Sequence, residues 1–259
     1  MAYEFLKVGV TDRVGWIEYQ RPPLNSIDWT MLGEIPEALE AMLRDPGVRV
    51  VVMASALEKY FSVGADLKVL KAMGPDDMRR WVETCHAIVR KIRGAKKPLI
   101  AAIHGTAVGG GLEIVLHFDI RFASADARFG QPEINIGFIP PVATTQSLAR
   151  LLGRSRALRF LYEGTLVSAE ESLSIGLVDF VVPPETLRDE VQAYAAALAQ
   201  KPAEALEAIR RCITEGPELP YHEALALERE AATHLAGTYD FREGVSAFIE
   251  KRPPNWTGR

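Results

Sequence analysis

The first twenty residues alternate apolar and polar positions in two short runs. One run covers residues 5–10 and the other covers residues 14–19, with Thr11-Asp12-Arg13 between them. Successive side chains of a β-strand point to opposite faces, so this alternation predicts two strands. The polar tripeptide between them predicts a hairpin turn.

Two later segments are apolar at almost every position and rich in β-branched residues. Residues 48–54 and residues 98–104 therefore predict strands buried on both faces, as in a parallel sheet. Shorter apolar runs at 119–123 and 177–182 predict further strands. Several such strands, separated by other elements, indicate a sheet-based core.

Apolar residues at helical spacing predict helices over residues 27–44 and about 76–93, and Pro36 predicts a kink or a break in the first. From residue 184 onward the pattern is almost entirely helical. The helices predicted there cover 184–199, 202–214, 220–238 and 239–251. Strands that alternate with helices before a helical block predict an α/β core over residues 1–195 and a C-terminal helical region over residues 196–259.

Composition narrows the functional classes. The 259 residues are 48% apolar and 25% charged, which is typical of a globular protein. A net charge of −4 gives no bulk attraction to nucleic acid or to an anionic membrane, so we expect neither as a partner. We see no secretory signal and expect a cytoplasmic protein. Cys85 and Cys212 are isolated, which argues against a disulfide framework or a zinc ribbon.

Two glycine-containing segments follow predicted buried strands. Residues 61–67 (FSVGADL) form a turn that could expose backbone amides, although a plain strand-to-helix turn has the same pattern. Gly109, Gly110 and Gly111 stand at the start of an apolar helix predicted over 112–118, where unpaired N–H groups and the helix dipole favour a developing oxyanion. Close packing of helix on sheet is the alternative explanation.

Two carboxylates lie in apolar surroundings. Glu113 falls in the first turn of the apolar helix, where it is a partner of the dipole, a catalytic group, or both. Glu133 is flanked by apolar residues and followed by a Gly/Pro loop. A carboxylate pair also serves glycosidases, so the pair alone does not define the reaction.

Taken together, these segments resemble the enoyl-CoA hydratase/isomerase (crotonase) superfamily over nearly the whole chain. The matching segments are FSVGADL (61–67), KPLIAAIHGTAVGGGLEIVLHFDIRFAS (97–124), FGQPEINIG (129–137), GTLVSAEESLSIGLVDFVV (164–182) and SAFIEKRPPNWTGR (246–259). The resemblance implies an α/β fold, a crotonase-like spiral of ββα units with a C-terminal α-helical trimerisation subdomain. It also implies a homotrimer or a dimer of trimers.

The resemblance also implies a site. The amides of Ala65 and Gly110 would form an oxyanion hole for a thioester carbonyl, and Glu113 and Glu133 would be the acid/base pair. In hydratases the first carboxylate helps to activate water for attack at C3, and the second delivers a proton to C2. The residues that match substrate-binding positions are Val63, Ala65, Asp66, Leu67, Lys68, Gly109, Gly110, Pro141, Phe248 and Lys251.

The implied activity is that of an enoyl-CoA hydratase, a hydro-lyase whose substrate is an acyl-CoA. No metal and no cofactor beyond the coenzyme A of the substrate is implied. Phe248 and Lys251 match tail residues that reach the CoA of a neighbouring subunit, but a helix contact and a solvated charge explain them equally. Another enzyme of this scaffold, an isomerase or an acyl-CoA hydrolase, and a non-catalytic acyl-CoA-binding protein remain alternatives.

One loop departs from the family pattern. Residues 139–146 read IPPVATTQ, and typical hydratases have a run such as IPGAGGTQ there. Pro141 replaces a glycine whose amide can hold the catalytic water, and proline has no N–H to offer. We therefore expect a specialised acyl group or another reaction of the superfamily, unless Pro141 only stiffens the loop.

Overall fold

The computed structural model describes residues 3–258, and this part of the chain contains two β-sheets. Its strands are β1 (Leu6–Thr11), β2 (Val14–Tyr19), β3 (Val50–Ser55), β4 (Tyr60–Ser62), β5 (Leu99–Ile103), β6 (Thr106–Val108), β7 (Ile120–Ser124), β8 (Arg128–Gly130), β9 (Val167–Ser168) and β10 (Phe180–Val182). The larger sheet has the order β1-β2-β3-β5-β7-β10, and the smaller has the order β4-β6-β8-β9.

Helices follow several of the strands, and in the described residues four consecutive α-helices follow the last strand. The α-helices are α1 (Trp29–Arg44), α2 (Leu67–Ala72), α3 (Pro75–Arg93), α4 (Gly110–Val115), α5 (Thr144–Leu152), α6 (Arg154–Glu163), α7 (Ala169–Ile175), α8 (Leu187–Ala199), α9 (Ala203–Glu215), α10 (Tyr221–Ala236) and α11 (Tyr239–Glu250). Short 3-10 helices cover Pro132–Ile136, Pro184–Thr186 and Gly216–Glu218.

The chain alternates between the two sheets. Each of β3, β5 and β7 in the larger sheet is followed by a short strand of the smaller sheet and then by a helical segment. Only β1 and β2 pair antiparallel in the larger sheet; its other neighbours are parallel. This arrangement is a spiral of ββα units, which confirms the α/β architecture expected from the resemblance.

The central strands β2, β3 and β5 of the larger sheet are buried on both faces. Val51 and Met53 of β3 belong to the core that includes α1 and α3, whereas Val50 and Val52 pack on the opposite face with apolar residues of α8. Alternate residues of one strand therefore serve two cores, which is why β3 has no charged position. The predicted burial of this segment on both faces is confirmed.

The N-terminal hairpin is also confirmed. Asp12 and Arg13 have positive φ angles of 50° and 65°, the conformation that a two-residue turn of the right twist requires at both positions. The break considered at Pro36 is wrong, because α1 runs unbroken through it. An interior proline costs about 3 kcal/mol. Ile35 and Leu39, both fully buried, offset it at about 2 kcal/mol each.

Other sequence predictions need correction. The strand predicted over 177–182 covers only Phe180–Val182, since Gly176 first ends α7 in a left-handed conformation. The short strands of the smaller sheet were missed, because two or three residues are too few to show a period. Helix α2 was missed for the same reason.

The C-terminal helices leave large apolar side chains in solvent. Ile213, Phe248 and Ile249 are all more than 70% exposed in the single chain. Within residues 3–258 no helix combines the length and the apolar character needed to cross a membrane. These exposed side chains form an apolar surface that the single chain does not cover.

Candidate active site

A cavity of about 1020 Å³ lies where the ends of several ββα units meet. Its lining comes from the loop after β2, the β4–α2 turn, α3, the start of α4, and residues 132–142. Trp81 and Cys85 of α3 form part of its wall, together with Leu70 of α2. The walls are therefore largely apolar, with charged groups at only a few points.

Glu113 is one of these charged groups, and it lies in the first turn of α4 with 1% of its surface exposed. Val142 N and Thr144 Oγ1 both donate to its Oε2 at 2.8 Å. Burial, and then the nearby charge of Glu133, raises the pKa of Glu113 to about 8 against an ordinary 4.5. The other oxygen, Oε1, accepts no bond from the described residues and remains available to a ligand in the cavity.

Glu133 lies in the 3-10 helix Pro132–Ile136 and lines the same cavity. Burial raises its pKa to about 7. Gln131, oriented with its amide nitrogen rather than its oxygen against the carboxylate, donates to Oε2 at 3.0 Å and to Oε1 at 3.3 Å. Both carboxyl groups thus change charge near neutral pH, as acid/base catalysis requires.

Two backbone amides face this cavity without a protein acceptor. Ile27 N donates to Gly64 O, and Asp66 N donates to Ile27 O, each at 2.8 Å. In this parallel bridge the N–H of Ala65 points away from Ile27. Within residues 3–258 neither Ala65 N nor Gly110 N has a backbone or side-chain acceptor, and both residues line the cavity.

Glycines allow these two segments to approach. We call residues 63–66 and 109–111 together the glycine wall. Gly64 has a φ of +80°, and a Cβ there would lie 2.8 Å from Gly110 N. A Cβ at Gly109 would lie 2.9 Å from Glu133 Oε1, and one at Gly111 would lie 2.4 Å from Ser62 Cβ. Backbone contact therefore fixes the spacing of the amides, and the helix starts at Gly110 rather than at residue 112.

The opposite wall is residues 138–144, which we call the proline loop. Pro141 lines the cavity but has no N–H, and the loop turns its donors Val142 N and Thr144 Oγ1 to Glu113. Ala143 holds a left-handed φ of 56°, which is unusual for a residue with a Cβ. Of these two donors, only the Thr144 hydroxyl depends on the departure from the family pattern, because the family run has a glycine at that position.

The structure gathers most of the sequence-predicted site residues around the cavity. They are Val63, Ala65, Asp66, Leu67, Lys68, Gly109, Gly110, Glu113, Glu133 and Pro141. Phe248 and Lys251 are not among them. Phe248, 87% exposed, lies beside Trp256 at a separate apolar cavity of about 460 Å³, and Lys251 ends α11.

Sequence reasoning missed the loop after β2. Arg21 and Ile27 line the cavity, and Arg21 forms ion pairs with Asp28 at 2.9 Å and Asp66 at 3.3 Å. Asp66 in turn caps α2 by accepting from Lys68 N. The sequence offers one signal for this loop, the polar residues that follow Pro22-Pro23, and that pattern is typical of an ordinary turn.

The described residues hold no cluster of three or more His, Cys, Asp or Glu side chains that could bind a metal ion. His86 and His117 lie close to the proline loop but bond its carbonyl oxygens, Pro141 O at 2.9 Å and Val142 O at 2.8 Å. Both histidines therefore fix the backbone of the proline loop beside the cavity.

Comparison with known proteins identifies the relatives of this fold and site. The sequence pattern of the family described as enoyl-CoA hydratase/isomerase matches residues 9–259. The crotonyl-CoA hydratase of Syntrophomonas wolfei is 33% identical over 260 residues, which cover 100% of both chains. The short-chain-enoyl-CoA hydratase of Clostridium acetobutylicum is 34% identical and covers 93% of this chain and 92% of its own.

Solved structures agree. The crystal structure of an enoyl-CoA hydratase from Bacillus anthracis superposes with a TM-score of 0.94 at 33% identity. The match covers 99% of this chain and 100% of the other. Similarity at this level extends over the whole chain, so it includes every segment that lines the cavity.

Proposed function

This chain belongs to the enoyl-CoA hydratase/isomerase family, and we propose that it adds water across the C2=C3 double bond of a 2-enoyl-CoA thioester. The observation that carries the proposal is the cavity in which two carboxyl groups of raised pKa meet two amides without an acceptor. The hydratase names of the full-length relatives support the same reaction. The acyl-CoA is the substrate, and the chemistry needs no further cofactor.

The glycine wall would bind the thioester carbonyl. Addition of water at C3 moves an electron pair from the double bond to the carbonyl oxygen and creates an enolate. Ala65 N–H and Gly110 N–H would donate to that oxygen. Removal of one such donor typically costs about 3–4 kcal/mol of transition-state stabilisation, so the pair would be a main source of rate enhancement.

The two carboxyl groups would divide the proton transfers. The two groups titrate as a coupled pair, and the pair would react in the form that holds one proton, on Glu133. Glu113, ionised in that form and held at Oε2 by two donors, would take a proton from water through its Oε1 as the hydroxyl group bonds to C3. Protonated Glu133 would give a proton to C2 as the enolate collapses. The product is a 3-hydroxyacyl-CoA, with OH on C3 and H on C2. Groups that titrate near neutrality transfer protons in both directions with small barriers.

The coenzyme A part would lie toward the charged edge of the cavity. Lys68, beside Asp66 and Leu67 at the start of α2, would face its phosphates, and Val63 and Gly109 would flank the thioester. Pro141 would contact the acyl chain from the proline loop. The apolar side chains Trp81 and Leu70 leave that end of the cavity suited to a hydrocarbon acyl group.

The helical region 196–259 would form subunit contacts. Its exposed apolar side chains include Ile213 and Phe248, and a trimer or a dimer of trimers would cover them. Phe248 and Lys251 would then reach the coenzyme A of a neighbouring subunit. Sedimentation analysis tests this proposal, because a monomer at working concentration would contradict it.

A second candidate is isomerisation or thioester hydrolysis on the same scaffold, and Pro141 is the observation that favours it. Without an N–H at this position, one hydrogen bond to the attacking water is missing. Isotopic water separates the reactions. Hydration and hydrolysis incorporate oxygen from the solvent, whereas isomerisation incorporates only hydrogen.

The test is incubation with a panel of 2-enoyl-CoAs while the absorbance of the conjugated thioester is followed. We expect hydration by the wild type and a loss of about 10³-fold in kcat for Glu133→Gln. Glu83→Gln, on the exposed side of α3, is the matched control and should keep full activity. Equal rates for wild type and Glu133→Gln would refute the proposal. Tight binding of CoA esters without turnover would instead indicate an acyl-CoA-binding protein.

A further inference from the structure

One peptide unit of the proline loop controls a hydrogen bond of Glu113. Pro140 and Pro141 have no N–H, so Val142 N is the first backbone donor after Ile139. It donates to Glu113 Oε2 at 2.8 Å. The position of that carboxylate oxygen therefore depends on how the plane of the Pro141–Val142 peptide is oriented.

His86 holds the other end of the same peptide unit. Its Nε2, from α3, lies 2.9 Å from Pro141 O. A carbonyl oxygen only accepts, so Nε2 carries the proton and donates. Pro141 C=O and Val142 N–H belong to one planar amide, which makes His86 and Glu113 its partners on opposite sides.

His117 fixes the next carbonyl of the loop. Its Nε2 lies 2.8 Å from Val142 O, and burial lowers the pKa of His117, so the ring is neutral and donates through Nε2–H. Thus two histidines, one from α3 and one just after α4, hold the carbonyls on both sides of Val142. The backbone therefore cannot rotate about the φ and ψ bonds of Val142 without breaking one of these two hydrogen bonds.

We propose that His86 is a positioning residue for the base Glu113 and acts through the Pro141–Val142 peptide, with His117 fixing the following carbonyl. This proposal rests on the proposed function of the cavity. His86 is not among the residues that line the cavity, so it does not touch the substrate.

The physical effect has two parts. A hydrogen bond to the carbonyl of an amide polarises the group and strengthens its N–H as a donor. A stronger donor to Oε2 favours the ionised form of Glu113, which is the form that accepts a proton from water. In addition, both donors act on Oε2, which leaves Oε1 directed to the cavity.

Other ionisable groups surround these side chains, and a test must separate them. Those that face Glu113, His86 or His117 are Glu133, Cys85, Arg93 and Arg121. Glu133 is the closest competitor, because the two carboxyl groups titrate as a coupled pair. The ionisation of Glu113 is therefore best measured in a Glu133→Gln background.

The experiment compares His86→Leu, which removes the donor, with His86→Gln, which keeps an N–H at similar reach. His104→Leu is the matched control: its Nε2 also bonds a backbone oxygen, Leu57 O at 2.5 Å, but at a cavity away from the catalytic one. Steady-state kinetics give kcat and KM. Infrared difference spectra across a pH titration give the midpoint of Glu113, identified by its loss in Glu113→Gln.

We expect His86→Leu to lower kcat about tenfold with KM nearly unchanged. We expect the midpoint of Glu113 to move to higher pH by about 0.5 unit. His86→Gln should restore both values to near those of the wild type, and His104→Leu should leave both unchanged. If His86→Leu does not fold, His86→Asn replaces it, since its shorter amide does not reach Pro141 O.

An unchanged Glu113 midpoint in the donor-free variant would overturn the proposal. So would equal impairment of the Gln and Leu variants, because packing rather than a hydrogen bond would then explain the loss. The infrared titration needs no turnover. If the wild type hydrated no enoyl-CoA, the proposed function would fail, but the titration would still decide the role of His86.

Discussion

The two walls of the cavity are built on different physical principles. The glycine wall places Ala65 N and Gly110 N by close steric contact. A Cβ at Gly64 would meet backbone, and one at Gly111 would meet the Ser62 side chain. The proline loop places Glu113 Oε2 through hydrogen bonds from Val142 N and Thr144 Oγ1. Steric contact allows few other conformations, so we expect the glycine wall to keep its shape. Hydrogen-bond donors can be replaced by substitution, so we expect changes in the proline loop to alter the ionisation of Glu113 gradually.

The largest effect should come from adding a methyl group to the glycine wall. Gly111→Ala places a Cβ 2.4 Å from Ser62 Cβ, so helix and strand must separate. We expect the free energy of unfolding to fall by about 3 kcal/mol, measured by urea denaturation. A free energy of unfolding within about 0.5 kcal/mol of the wild type would show that the glycine wall accommodates a methyl group despite this short distance.

Gly110→Ala is the matched control for that change. The atoms nearest to its Cβ would be Ile27 Cδ1 at 3.7 Å and Ala65 N and Gly64 Cα at 3.8 Å, which are ordinary contacts. We expect stability to be nearly unchanged, but the methyl group would stand between the two amides. Hydration should then be lost in a protein that still unfolds like the wild type.

The next effect concerns the carboxyl groups and the pH dependence of stability. Glu113 holds its proton more tightly in the folded protein, with a pKa of about 8 against 4.5. The folded state therefore binds more protons over this range, and the free energy of unfolding falls as the pH rises through it. We expect the loss from about pH 6.5 to about pH 8.5 to be smaller by about 2 kcal/mol in Glu113→Gln.

Denaturation in urea at these two pH values measures that difference. Glu83→Gln, with its exposed carboxylate, should follow the wild type. If the stability of Glu113→Gln fell as steeply with pH as that of the wild type, the pKa of Glu113 in the folded protein would be close to its ordinary value. That result would contradict the role of Glu113 as a base whose pKa burial has raised.

The smallest effect should come from the proline loop. Thr144→Val keeps the shape of the side chain but removes the hydroxyl donor to Glu113 Oε2. We expect kcat to fall about tenfold and the ionisation of Glu113 to require higher pH. Thr145→Val is the control, because that hydroxyl contacts only Gln146 at 3.4 Å and lies away from the carboxylate. Equal kcat for the two variants would contradict the assigned role of Thr144.

Much of the fold was predictable from the sequence because burial leaves a clear pattern. The all-apolar run of β3 follows from the two cores it serves, and the hairpin follows from alternation around Asp12 and Arg13. The smaller sheet was not predictable, since its strands are too short to show a period. The continuation of helix α1 through Pro36 depends on the burial of Ile35 and Leu39 in the core, which the local sequence pattern does not predict.

The site, like the fold, has one part that the sequence predicts and another that only the folded structure shows. The glycines and the two carboxylates stand out as unusual residues in apolar surroundings, but the roles expected for Glu113, Glu133, Ala65 and Gly110 came from the resemblance to the crotonase superfamily. The bonds that position Glu113 were not predicted, because His86 and Thr144 come from separate parts of the chain and only the fold brings them together. The loss of an N–H at Pro141 was visible in the sequence, but the hydrogen bond between His86 and Pro141 O was not.

The most direct test is a crystal structure with a bound, unreactive acyl-CoA thioester. We predict that the thioester oxygen lies about 2.7–3.1 Å from both Ala65 N and Gly110 N. Glu113 and Glu133 should then face C2 and C3 from one side. A thioester oxygen bound elsewhere, or either carboxyl group turned away from these carbons, would contradict the account.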